Sequence, residues 1–169
     1  MKTCCLTFLA AIVFTIGMRA QSIQPASAVP TFAGTSIGAS FHFDRLTQRT
    51  TYTTTLKFGP SENPAFTIAY VFTYPGTRMA RPSVVDEVIT RHLPDESRPE
   101  FAINAGGEWT PVAVRQTSHS AMTRTMSIED FLHQVNAQGV RERIFGSELV
   151  FGDLQLRMLR QQTVDRWTQ

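Results

Sequence analysis

The sequence predicts an α+β fold, a mainly antiparallel β-sheet or sandwich that ends in a C-terminal helix–strand–helix unit. Three observations carry this. Phe66, Ile68, Tyr70, Phe72 and Tyr74 alternate with Thr67, Ala69, Val71 and Thr73, the period-two pattern of a half-buried strand. Ile128, Phe131, Leu132 and Val135 recur at i, i+3, i+4, i+7 behind Ser127, the apolar face of a capped helix. Asp153 then offers an N-cap, and Leu154, Met158 and Leu159 follow it as a second apolar stripe. Each helix needs a surface for its stripe, so the preceding strands must form a sheet.

In chain order, residues 1–28 read as a signal peptide. Lys2 gives a positive start, Cys4 to Met18 is almost wholly apolar, and Ala26-Ser27-Ala28 offers a small-residue cleavage site. Export with the mature chain starting at Val29 is the expectation. Residues 29–38 are small and without period, and read as a flexible lead-in to a single domain over 39–169. Phe41 and Phe43 alternate with His42 and Asp44, and the threonine-rich run Arg49–Phe58 suits a pleated surface. Pro60 to Pro64 connects to the aromatic strand, and Tyr74-Pro75-Gly76-Thr77 has Pro and Gly where a type II turn wants them.

Residues 83–93 fit a helix by spacing, but their β-branched residues favour a strand. Pro94 ends the run. Phe101 and Ile103, then Trp109 to Val114, flank Asn104-Ala105-Gly106-Gly107-Glu108 as a hairpin. Ser127 with Asp130 makes a short capping box, and Gly139 supplies the left-handed stop. Val140–Phe151 is strand-like. Its Gly146-Ser147 pair is either a bulge or the loop of a tight hairpin.

Composition narrows the function. The full chain carries 16 basic and 14 acidic residues. Loss of Lys2 and Arg19 with the signal peptide leaves 14 against 14. A neutral surface without a basic run argues against nucleic acid and against electrostatic attachment to anionic lipid, and no stable membrane insertion is expected after signal cleavage. Cys4 and Cys5 leave as well, so the mature chain has no thiol nucleophile, Cys-ligated metal or disulfide.

Gly34-Thr35-Ser36-Ile37-Gly38 formally matches the nucleophile elbow. That chemistry needs a strand before the serine and a helix after it, and neither is expected here. The histidines His42, His92, His119 and His133 form no ligand pair at helical spacing. His42 and Asp44 share a strand face, which reads as a solvated polar face. Asp86 and Glu87 point to opposite faces of a strand and make no acid–base pair. Thr51, Thr53 and Thr55, aligned with Thr67 and Thr73, fit a solvent-facing sheet. Trp109 and Trp167 lie far apart. The sequence yields no catalytic residue, no metal-ligand set and no cofactor motif.

The order of a Tyr-Pro-Gly turn, a Val-rich run, a Gly-Gly hairpin and MSIEDFLHQVNAQGVRERIFGSELVFGDLQLRMLRQ resembles a pattern in small exported bacterial proteins of unassigned function. It spans residues 66–163, with Val140, Phe145, Gly146, Leu149, Leu156 and Arg160 as markers. The resemblance implies an exported β-rich domain and brings no catalytic residue. The expectation is therefore a periplasmic or secreted, non-enzymatic protein. It would bind an unknown protein or envelope component, or support the envelope. A hydrolase acting on an envelope or extracellular substrate is the alternative.

Overall fold

The computed structural model describes residues 29–93, 101–105 and 107–167. The expected signal segment, Pro94 and Gly106 lie outside them. The chain is β-rich with short C-terminal helices. Its strands are β1 (Thr31–Asp44), β2 (Arg49–Phe58), β3 (Phe66–Pro75), β4 (Val84–Arg91), β5 (Phe101–Ala105), β6 (Thr110–Pro111), β7 (Arg115–Ser118), β8 (Ala121–Ser127), β9 (Val140–Ile144) and β10 (Ser147–Phe151). The helices are α1 (Ile128–Asn136), α2 (Asp153–Gln162) and the single turn α3 (Val164–Trp167).

All ten strands join one curled, mixed sheet in the order β6-β5-β9-β10-β1-β2-β3-β4-β8-β7. The sequence predicts a mainly antiparallel sheet; the β1–β10 pairing is parallel, through Thr31↔Glu148, Phe32↔Leu149 and Ala33↔Val150. From Gly34 onward β1 pairs antiparallel with β2, with a register shift between Gly34 and Ser36. A bulge of this kind lets one strand serve two parts of a sheet.

The aromatic alternation of β3 is buried as its pattern predicts. Phe66, Ile68, Tyr70, Phe72 and Tyr74 are each no more than 2% exposed. Residues 84–91 are a strand, in line with their β-branched content. Ser127 caps α1 by accepting from the Asp130 amide at 3.1 Å, and its hydroxyl donates to Asp130 Oδ2 at 2.8 Å. Phe131 packs edge-on against Tyr70 and Phe72, each 5.3 Å between ring centroids. Trp167 closes over the same group, 5.7 Å from Phe72. Gly139 stands at φ +81° past the helix end.

Four expectations need correction. Residues 31–38 are no lead-in but the first half of β1. Their small side chains hide the strand period, and Gly34 is small because Gln155 of α2 rests on it. The closing unit is helix–hairpin–helix, since β9 and β10 pair from Ile144↔Ser147 onward. Phe145 and Gly146, at φ 48° and 71°, form the tight loop. The cap of α2 is Gly152, whose amide donates to Gln155 Oε1 at 3.1 Å. That bond turns Gln155, Leu156 and Leu159 inward and leaves Leu154, expected on the buried stripe, 62% exposed.

Candidate functional site

The two ends of the sheet come close together. β6 ends at Pro111 and β7 begins at Arg115, so residues 112–114 alone carry the chain from one end of the strand order to the other. That bridge is at most about 14 Å long. β7 covers only the first half of β8, through Ala121, Met122 and Thr123. From Arg124 to Ser127, β8 pairs with β4 on one side and faces a cleft on the other. The cleft holds about 650 Å³ and lies between β8 and the β5–β6 hairpin. Arg124, Thr125, Asp130, His133 and Gln134 line one side, with Ile103, Thr110 and Val112 opposite.

Behind its floor lies a buried polar cluster. Tyr70, Glu87 and Arg124 are register neighbours across β3, β4 and β8. Arg124 Nε donates to Glu87 Oε2, and its Nη2 donates to Gln134 Oε1 at 3.2 Å. The same Nη2 stands 3.9 Å from Glu142 Oε1. Gln134 Nε2 donates to Glu142 Oε1 at 2.8 Å and to the Tyr70 hydroxyl at 3.0 Å. Glu87, Glu142 and Tyr70 are fully buried, and the guanidinium lies 4.8 Å from the Phe101 ring centroid.

Two carboxyl groups and one guanidinium leave one negative charge in excess. Burial, and then the neighbouring Glu87 carboxylate, push Glu142 well above the usual carboxylate range. Tyr70 is also held well above its ordinary value, by burial first and then by both carboxylates. Among the described residues, Glu87 Oε1 and Glu142 Oε2 accept no hydrogen bond. With Glu142 protonated, one carboxylate faces one guanidinium and the cluster is neutral.

The other singled-out residues lie apart. Ser36 sits within β1 beside Lys57, not after an empty lead-in. Among the described residues no hydrogen bond links its hydroxyl to a histidine or carboxylate. Asp44 accepts from the Leu46 amide at 2.8 Å and the Thr47 hydroxyl at 2.7 Å, so it closes the β1–β2 turn beside exposed His42. His92 Nε2 meets Thr67 Oγ1 at 3.2 Å. His119 is exposed in the β7–β8 turn, and His133 is exposed at the cleft. Asp86 accepts from the Thr125 hydroxyl on the outer face, opposite Glu87 as strand geometry demands. The threonines at 51, 53, 55, 67 and 73 do share the outer face, with Thr51 opposite Thr73. Trp109 carries the Arg143 guanidinium, 4.3 Å from its ring centroid. Sequence reasoning passed over Arg124, Gln134 and Glu142. Among the described residues no group of three or more His, Cys, Asp or Glu is placed to hold a metal ion. No described helix is long and apolar enough to cross a membrane. No protein-family model, characterised protein or solved structure matches the chain.

Proposed function

We propose that this chain is an exported, non-enzymatic protein, periplasmic or secreted, that binds a protein or envelope component through the cleft beside β8. The observation that carries this is the cleft itself. Its volume of about 650 Å³ lies in the range of ligand sites, and its lining sets Ile103, Val112 and Met126 among the polar and charged groups of Glu108, Arg124, Asp130, His133 and Gln134. Export rests on Lys2, the apolar run Cys4–Met18 and Ala26-Ser27-Ala28. The test is crosslinking capture from an envelope extract with the native protein and with Ala113→Trp, which fills the cleft from an exposed position. Capture lost in the folded variant supports the reading, whereas an unchanged set of captured molecules overturns it.

A second reading, hydrolysis of an envelope or extracellular substrate, draws on the Glu87–Glu142 pair. A buried carboxyl with perturbed protonation, here Glu142, is found at catalytic sites as well as in structural networks. Both side chains are fully buried, so this reading also requires the cleft floor to open. Turnover of a polysaccharide or peptide substrate that disappears in Glu142→Gln would favour it.

A further inference from the structure

The ladder on β8 fixes which of its main-chain groups face the cleft. In an antiparallel pair, every second residue turns both its N–H and C=O toward the partner strand, and the residues between turn away. The Arg91 amide donates to the Ser120 carbonyl at 2.7 Å, and the Ile128 amide to the Ser83 carbonyl at 3.2 Å. These bonds lie at the two ends of the β4–β8 register. They set residues 120, 122, 124, 126 and 128 toward β4. Residues 121, 123, 125 and 127 therefore face the other way. Ala121 and Thr123 meet β7 there. Thr125 and Ser127 have no strand beside them among the described residues, and both line the cleft. The Ser127 carbonyl opens the helical ladder of α1 as that helix's cap. What remains is the N–H and C=O of Thr125 and the N–H of Ser127, two residues apart, the repeat of a strand.

We propose that the cleft is a slot for one extended segment of a partner polypeptide, which pairs with β8 through the main chain of Thr125 and Ser127 and fills the gap between β8 and β6. This is strand addition at an open sheet edge, and it rests on the reading of the cleft as the binding site. Main-chain donors and acceptors at strand spacing match an extended backbone better than any other ligand. A second copy is a poor occupant. Its own sheet ends are β6 and β7, two and four residues long and tied together by residues 112–114. The slot also dictates side-chain chemistry. Inward positions of the segment meet Ile103, Val112 and Met126 beside Arg124, so they take apolar or uncharged residues. Glu108 and Asp130 at the rim disfavour acidic ones.

Hydrogen exchange by NMR, on the protein as recovered from the cell, reads the edge. The Thr125 amide should exchange roughly a hundredfold faster than those of Arg124 and Met126, which face β4. A random-peptide library selected on the immobilised protein supplies the probe. A synthetic copy of an enriched peptide should slow exchange at Thr125 and Ser127. It should bind at least tenfold more weakly to Thr125→Pro, which lacks the amide, and about equally to Thr125→Val, which keeps it. N-methylation of alternate amides in the peptide should abolish binding, a result independent of how well the proline variant folds. Protection of Thr125 in the free monomer would show that the protein's own chain already covers the edge, and would overturn the proposal. Protection that appears only on self-association would give the slot to a second copy, and would overturn it equally. Failure to enrich any peptide counts against it too. A peptide that binds in the cleft but leaves both amides unchanged overturns strand pairing while leaving the cleft reading intact.

Discussion

Gln155 lies so close over Gly34 that a Cβ added at residue 34 would stand 1.7 Å from the Gln155 amide nitrogen. The same Gln155 caps α2 through the Gly152 amide. One side chain thus starts the helix and seats it on β1. Gly34→Ala should push Gln155 aside and cost about 0.5–2 kcal/mol, the worth of a lost cap. In a Gln155→Ala background the same substitution should be nearly neutral. Denaturant midpoints of the four proteins form the cycle, and additive losses would mean that the two residues do not interfere.

Phe131 and His133 test the helical face of α1. Phe131 is fully buried between β3 and Trp167, while His133 faces solvent. Phe131→Ala should lower stability by about 3–5 kcal/mol through lost transfer energy and a cavity. His133→Ala should change it by no more than about 0.5 kcal/mol. Equal losses on urea unfolding would contradict the packing of α1.

The buried carboxyl pair predicts a pH slope. Glu142 has its folded-state pKa raised, so the folded protein binds the proton more tightly than the unfolded chain does. That stabilisation is complete below the ordinary glutamate value of about 4.3. It is lost as pH rises through the folded value. Glu142→Gln keeps an acceptor for Gln134 and removes the titration. Its stability should be flatter with pH and should exceed that of the native protein at the alkaline end. Parallel curves for the two proteins would place the proton elsewhere.

Arg124→Met should be far more harmful near neutral pH, by about 3–5 kcal/mol, because it leaves the buried Glu87 carboxylate without its cation. The deficit should shrink in acid, where the carboxyls are neutral. Thermal melts at two pH values check this, and a deficit independent of pH would assign the loss to packing alone.

The expected processing is testable by N-terminal sequencing. Protein recovered from a periplasmic or culture fraction should begin at Val29. Intact Met1 in the membrane pellet would refute cleavage. An active-site fluorophosphonate probe should leave Ser36 unlabelled, since that serine is paired with Lys57 within β1–β2 and, among the described residues, has no histidine or carboxylate bonded to it.

The sequence revealed those elements whose burial follows one clean period. The alternation of β3, the stripe of α1 and the cap at Ser127 are properties of adjacent residues, and they read directly. The first half of β1 did not, because Gly34, Ser36 and Gly38 carry no hydrophobic period, and Gly34 answers to Gln155 of α2. The polar cluster left a trace that single-residue reasoning passed over. Glu87 stands between Val85 and Ile89, Arg124 between Met122 and Met126, and Glu142 between Val140 and Ile144. Each is a charge in the middle of an inward-facing alternation. A buried charge needs a partner, so three such positions in one chain point to one another. Their meeting point, however, depends on the strand order, which no local pattern contains.

The parallel pairing of β1 with β10 has a consequence for when the molecule can form. Residues 31–33 and 148–150 lie far apart along the chain, yet they join the β5–β9–β10 part of the sheet to the rest. Contacts of such long sequence separation close late and slowly, because loop entropy must be overcome first. A nascent chain therefore cannot complete its sheet until its last strand has been made. For a chain exported as proposed, the joint between the two parts of the sheet would thus be the last to close, after β10 has emerged.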